Sequence, residues 1–369
     1  MKILLLADNL IAGGLETHII TQINELLRRG YEIRLAAASI APELLAQICD
    51  KQGRFHFVLW DVQLDADALV RNFNPDIVHA HPFEAIVKGA ELVSRNPKPY
   101  IVTVHGQYDF GLDRSTTGYS TSSQIQQIIA VDQRVSKQLL RTAAHPEKVI
   151  VIPNGIDMAA FAPVSMEEKR AWQLRNGLAP DAFTLATVCR LADGKQHAVL
   201  QLIRCAGSLA QRLDGLNLII VGLGAHAHEV EEHASEATRA HQSHGLRILV
   251  AGHRQDVSDY MNAADLVMAC GRAAMEAMAC GTAVYGMRHG FAGPISETTH
   301  DQILGEVSGF APYEDEALIG ELEHLARDRD AREALATAGP QIITRFYDLR
   351  ACTDQLERIY QQYSGGGSP

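Results

Sequence analysis

Two cations lie five residues apart in Arg190-Leu191-Ala192-Asp193-Gly194-Lys195, directly after an apolar run ending at Cys189. A guanidinium and an ammonium on one tight turn can grip a diphosphate from two sides, supplying charge that a divalent cation often brings. A solvated loop with two cations is the plainer alternative. Further on, Cys270-Gly271-Arg272-Ala273-Ala274-Met275-Glu276-Ala277-Met278-Ala279-Cys280-Gly281 reads as a short helix opened by Gly271 and closed by Gly281. Its one acid, Glu276, is costly to bury unless hydrogen-bonded, and a ribose diol would fill that role. An exposed Glu fits poorly with Ala and Met on every side. Near the start, Asp8-Asn9-Leu10-Ile11-Ala12-Gly13-Gly14-Leu15-Glu16-Thr17-His18 leads from an apolar run into a helical pattern. Gly13 and Gly14 allow close backbone approach, and the helix N-terminus behind them favours an anion. A plain βα turn explains the glycines equally well, and the absence of G-x-G-x-x-G removes the main support for nicotinamide binding.

His79-Ala80-His81 and Val104-His105-Gly106 fall where apolar runs end, the edge at which open parallel sheets bind ligands. Residues i and i+2 on a strand point the same way, but no third ligand lies nearby with metal-site spacing. The expectation is therefore hydrogen-bonding or structural histidines and no metal. Gly222-Leu223-Gly224 is another tight turn at a strand end, and His226, His228, His233, His241 and His244 read as a solvated helical face or loop.

Positioning these residues requires alternating strands and helices. Lys2–Ala7, Glu32–Ala37, Phe55–Trp60, Ile77–His79, Tyr100–Val104, Ile128–Val131 and Val149–Ile152 form one series of short apolar runs. Phe183–Cys189, Leu216–Val221, Leu246–Ala251, Leu266–Ala269 and Ala283–Tyr285 form a second. Helical periods between them predict βαβ units on two parallel sheets. Ile152-Pro153-Asn154-Gly155-Ile156-Asp157 is a turn-rich link, so the boundary is expected near 160: domains 1–160 and 161–344, a final helix about 345–363, and a flexible tail or expression remnant over 364–369.

The 369 residues are 47% hydrophobic and 21% charged, enough for two cores. Thirty-three Lys+Arg against 44 Asp+Glu give −11, which argues against duplex nucleic acid. Residues 1–160 carry 15 basic and 17 acidic side chains, so −9 of that charge lies in the second half. Six cysteines without a C-x-x-C pair read as free thiols. With Asp8 breaking the first apolar run and no 18-residue apolar stretch, the expected location is cytoplasmic. Arg28, Arg29, Arg34 and Arg71 leave contact with the inner membrane face open, beside the alternative of a solvated surface.

In order and spacing, the motifs resemble those of family 4 retaining glycosyltransferases. The match runs from Gly13-Gly14 through Asp76-Ile77-Val78-His79-Ala80-His81, Val104-His105-Gly106, Pro153-Asn154-Gly155-Ile156-Asp157, Arg190 to Lys195, Gly222-Leu223-Gly224 and Gly252-His253-Arg254-Gln255-Asp256-Val257 to Glu276-Ala277-Met278-Ala279-Cys280-Gly281. The resemblance implies the GT-B architecture, two Rossmann-like α/β domains facing across a cleft with the last helix crossing back to the first. It implies that Arg190 and Lys195 bind the donor diphosphate, that Gly271, Arg272 and Ala273 start a helix aimed at it, and that Glu276 holds the ribose. By the same resemblance Gly13, Gly14 and Gly222 approach the donor, the His253-Arg254 turn lines the base, and His105 sits beside the transferred sugar.

The implied reaction moves a hexose-type sugar from a nucleotide sugar, UDP-sugar ahead of GDP-sugar, to a glycan or lipid-linked acceptor. No cofactor or metal is expected. The sequence departs from the family pattern at two places. Eight residues before Glu276, where E-x7-E has its first acid, stands Met268, and Cys189 replaces a common Gly. Two alternatives stay in view: a nucleotide-sugar 2-epimerase or hydrolase of the same fold, which needs carboxylates poised at the sugar and is disfavoured by that loss, and a non-catalytic nucleotide-sugar or glycan-binding protein, which the loss favours. Gln107–Ser123 is expected to be a mobile polar loop that reads the acceptor.

Overall fold

A computed structural model of the protein describes residues 1–11, 13–61, 64–306 and 310–365. It divides into two compact units, Met1–Gly155 with Tyr347–Pro369, and Ile156–Phe346. The first span alternates β1 (Lys2–Leu10), α1 (Gly14–Arg28), β2 (Glu32–Ile40), α2 (Pro42–Leu45), β3 (Phe55–Leu59), α3 (Ala66–Phe73), β4 (Ile77–Ala80), α4 (Glu84–Arg95), β5 (Tyr100–Val104), α5 (Thr116–Ser123), β6 (Gln127–Ala130), α6 (Gln133–Thr142) and β7 (Val149–Val151). The second contains α7 (Met166–Arg175), β8 (Phe183–Val188), α8 (Gln196–Leu213), β9 (Leu216–Val221), α9 (Ala227–His241), β10 (Leu246–Gly252), α10 (Val257–Asn262), β11 (Leu266–Ala269), α11 (Gly271–Ala279), β12 (Ala283–Met287), β13 (Phe291–Pro294), α12 (Asp315–Arg327) and α13 (Arg329–Phe346). The chain then returns to the first unit as α14 (Leu349–Ser364).

Both units are Rossmann-like. The first sheet has strand order β3-β2-β1-β4-β5-β6-β7, the second β10-β9-β8-β11-β12-β13, and every pair is parallel except β12 with β13. Strand order reverses between β1 and β4 and between β8 and β11, which opens a crevice at the carboxyl ends of those strands. Helices cover both faces of the first sheet. Leu4 and Leu6 therefore join one apolar cluster and Ile3 and Leu5 the other, all fully buried by the two-residue period of β1.

Helix α14 belongs to the second of those clusters, where Cys352, Leu356, Ile359 and Tyr360 meet Ile19, Ile23 and Leu26 of α1. Arg29 pins the two helices, lying 2.7 Å from Glu25, 2.5 Å from Asp354 and 2.5 Å from Glu357. Arg28 pairs with Glu25 at 2.6 Å, Arg34 lies over the Phe73 ring at 4.5 Å, and Arg71 is 3.8 Å from Asp65. The four arginines considered for a membrane contact thus all have protein partners. Among the described residues no helix is long and apolar enough to cross a membrane.

Several elements differ from the sequence expectation. Strand β1 continues past Asp8, pairing Asn9 with Ser39 and Leu10 with Ile40. The edge strand β13 was hidden by its Gly and Pro, which suit an edge because the ladder there is one-sided. Half of the segment expected as a mobile loop is α5, capped by Ser115. The first unit ends at Gly155 because that residue still packs on α14, where a Cβ would come 2.6 Å from the Leu349 Cα. Ser364 closes α14, and the rest of the expected tail beyond residue 365 lies outside the described residues, as does Ala12.

Candidate functional site

In the second unit the turn after β8 and the turn after β9 are bonded to each other. The Leu191 N–H donates to the Leu223 carbonyl at 3.0 Å, and the His226 N–H to the Leu191 carbonyl at 3.0 Å. A Cβ on Gly222 would collide with the Cys189 carbonyl, and one on Gly224 with that of Leu191, so only glycine permits this contact. Asp193 and Gly194 both take left-handed conformations, φ 56° and 83°, and reverse the chain so that Lys195 stands immediately before α8, without a side-chain capping bond. Arg190 is exposed and Lys195 half-buried, both at the carboxyl end of β8. Burial pushes the Cys189 thiol up to about 11, so this residue is a neutral filler beside the turn.

Across the same crevice, Cys270 alone joins β11 to α11. Gly271 has φ +56° and open space where its Cβ would be, so backbone conformation, not crowding, selects glycine. No side chain caps the first turn of α11, leaving its N–H groups directed at the crevice. One turn in, Glu276 is buried at 6% exposure with its Oε1 2.7 Å from Arg272 Nε. Burial lifts the Glu276 carboxyl above the ordinary carboxylate range, and Arg272 opposes that shift. Arg272, in the first turn of α11, forms an internal ion pair with Glu276 one helical turn on. Met268 is fully buried within β11, so that position could not have presented an acid to a ligand. The direct passage from β11 to α11 omits any loop that could. His253 and Arg254 follow β10 and are exposed, with the Arg254 guanidinium 5.6 Å from the Tyr260 ring centre.

In the first unit, Gly13 precedes α1, whose N-terminus has no side-chain cap. Both nitrogens of His79 serve structural bonds: Nδ1 lies 2.6 Å from the Tyr360 hydroxyl on α14 and Nε2 2.8 Å from Thr103 Oγ1. His81 Nδ1 lies 2.9 Å from His105 Nε2, while His81 Nε2 and His105 Nδ1 are buried without a hydrogen-bond partner. Burial lowers His81 to about 3 and holds His79 and His105 well below the usual imidazole range, so the group is neutral at pH 7. Among the described residues no group of three or more His, Cys, Asp or Glu side chains could hold a metal ion.

Sequence reasoning missed Asp8. Its carboxylate accepts from the N–H groups of Phe83, of Glu84 at 2.9 Å and of Ala85 at 3.0 Å, and so closes the N-terminus of α4. Its partners lie about 75 positions away, where no local pattern could reveal them. The Arg272–Glu276 spacing of four residues was a readable signal, since i and i+4 share a helix face.

The family model described as Glycosyltransferase Family 4 matches residues 12–160, and that described as Glycosyl transferases group 1 matches residues 182–328. The chain belongs to the family 4 glycosyltransferases. It is 24% identical, over 96% of its length and 92% of the relative's, to D-inositol 3-phosphate glycosyltransferase 1 of Catenulispora acidiphila. Among solved glycosyltransferase structures, that from Rickettsia africae superposes with a TM-score of 0.77 at 16% identity, covering 99% of both chains. HepE of Anabaena, solved with UDP and glucose, gives 0.73 at 19% identity over 98% of this chain and all of that one. At such identities the solved structures establish the shared GT-B glycosyltransferase fold.

Proposed function

We propose that this glycosyltransferase moves a hexose-type sugar from a UDP-sugar, with retention and without a bound metal, to a glycan or lipid-linked acceptor. The second unit binds the donor and the first receives the acceptor. The observation that carries this reading is the crevice between β8 and β11: the Arg190 and Lys195 turn on one side, an uncapped nine-residue helix on the other, and a buried carboxylate within that helix. Two cations and a helix N-terminus form a site for a diphosphate. They stabilise the departing nucleotide, which is what a same-face displacement without a carboxylate nucleophile needs. Burial raises the Glu276 carboxyl, and the Arg272 ion pair opposes that rise. A carboxylate has lone pairs beyond the one Arg272 uses, so it can still accept a ribose hydroxyl. Gly13 and Gly14 offer the first unit's open helix start to an anion, the His253 and Arg254 turn supports the base, and His105, whose Nε2 bonds to His81, lines the first unit's sheet edge as a neutral group. UDP as the donor base is favoured by HepE, whose structure holds UDP and glucose.

The test is UDP release from a panel of UDP-sugars, with and without glycan and lipid acceptors and with EDTA, followed by the anomeric configuration of the product. Acceptor-dependent, EDTA-insensitive release with retention is expected. Acceptor-independent conversion would point to the epimerase or hydrolase alternative, and binding without turnover to a non-catalytic protein. UDP affinity unchanged in Arg190→Ala with Lys195→Ala overturns the site assignment.

A further inference from the structure

The Catenulispora acidiphila relative is named for an inositol phosphate acceptor, yet among the described helices of eight or more residues in the first unit only α1, whose start the proposed function gives to the donor, has an uncapped N-terminus. In the first unit the helices after β3, β4, β5 and β6 each start at the carboxyl edge of the sheet, where unsatisfied N–H groups would attract a phosphate. All four starts are already occupied. Asp65 accepts from Ala68 at 2.8 Å, Asp8 caps α4, Ser115 with Asp113 behind it caps α5, and Asp132 accepts from Val135 at 2.7 Å. These carboxylates place negative charge where a phosphate would have to sit.

Three cations near that edge have protein partners. Lys88 is 2.8 Å from Glu84, Arg134 is 3.4 Å from Asp132, and Arg114 Nε donates to the Ala143 carbonyl at 3.4 Å. The histidines beside them, His81 and His105, stay neutral in their buried places. What the edge does present is aromatic. Phe83, in the connection from β4 to α4 and next to the crevice between β1 and β4, is 48% exposed, and its ring centre lies 4.3 Å from that of Tyr108. Tyr108 is itself fixed, because its hydroxyl accepts the His105 N–H at 2.9 Å. Phe110, two residues on, is 50% exposed. A half-open ring backed by a second, immobilised ring offers its negative face to the C–H groups of a pyranose, while a phosphate gains nothing from it.

We infer that the acceptor moiety received here is an uncharged pyranose ring stacked on Phe83, and that a phosphorylated polyol is a poor acceptor. This rests on the glycosyltransferase reading of the first unit as the acceptor side, and it narrows that reading to a substrate class.

The full chain is examined by saturation-transfer NMR with methyl α-glucopyranoside, methyl α-galactopyranoside, methyl α-mannopyranoside, maltose, myo-inositol and myo-inositol 1-phosphate, in parallel with UDP binding by calorimetry. At least one neutral glycoside is expected to bind with its ring C–H protons saturated, and inositol phosphate to bind at least tenfold more weakly. Phe83→Ala should weaken the glycoside about tenfold, the loss expected for one aromatic contact, while Phe83→Trp restores it and UDP affinity is unchanged in both. Inositol phosphate binding as tightly as the best glycoside, no glycoside binding, or a Phe83→Ala protein that binds glycosides normally each overturns the inference. Loss of UDP binding in the unaltered protein would instead count against the donor site, and the glycoside measurement stands independently of it.

Discussion

The Arg272–Glu276 pair gives a quantitative test of how the proposed donor site is held. The carboxylate is 6% exposed, the arginine side chain 9%, and they meet at 2.7 Å. Breaking a buried pair from one side costs about 3–5 kcal/mol, because the remaining charge is left without a counter-ion, whereas replacing both partners by neutral groups is near neutral or stabilising. Arg272→Met and Glu276→Gln should therefore each lower the stability of the second unit by about 3 kcal/mol. The double variant should lie within about 1 kcal/mol of the unaltered protein, far from the additive loss of roughly 6 kcal/mol. The chain has two tryptophans, and Trp172 packs edge-on to Tyr260 at 4.9 Å inside the second unit. Urea denaturation followed by Trp172 fluorescence in a Trp60→Phe background thus reports that unit alone. The sign of the pH dependence follows from the raised carboxyl. The native state binds this proton more tightly than the unfolded chain, so its contribution is full below the ordinary carboxylate pKa and is lost as pH rises through the raised value. Additive single variants, or a double variant as unstable as their sum, would refute the coupled-pair account. If Glu276 also holds the ribose, the stable double variant should still bind UDP about tenfold more weakly, the cost of one hydrogen bond to a charged group.

Two other outcomes follow. His81, held at about 3 by burial against about 6.5 in an unfolded chain, takes up its proton first on unfolding. Its stability contribution is complete above pH 6.5 and lost toward pH 3, so wild-type stability read by Trp60 in a Trp172→Phe background should fall more steeply below pH 6.5 than that of His81→Gln. The difference should approach 1.4 kcal/mol per pH unit, and identical slopes would contradict it. In the second unit, Gly222→Ala drives a methyl into the Cys189 carbonyl and should cost about 1–3 kcal/mol by Trp172 denaturation, with weaker UDP binding as the Arg190 turn shifts. Unchanged stability would show that the two turns are not locked as described.

The sequence by itself determined the two series of strands, because a buried parallel strand needs a short unbroken apolar run and each is followed by a helical period. It also determined which turns carry cations, glycines and histidines, since those residues sit at strand ends whatever the long-range packing. Tertiary structure decided what each polar group does. Asp8 looked like the end of a strand and became the cap of a helix begun 76 positions later. His79 read as a hydrogen-bonding histidine, but its partners, Tyr360 and Thr103, one of them 281 residues away, were set by the fold. Arg272 read only as part of a helix start, and helix α11 brings it onto Glu276. Hydrogen bonds and ion pairs are short-range and directional, so their partners are set by which distant segments the fold brings within 3 Å, information that a run of residue types does not contain. Apolar burial is additive and indifferent to partner, and so the strand pattern was legible in advance.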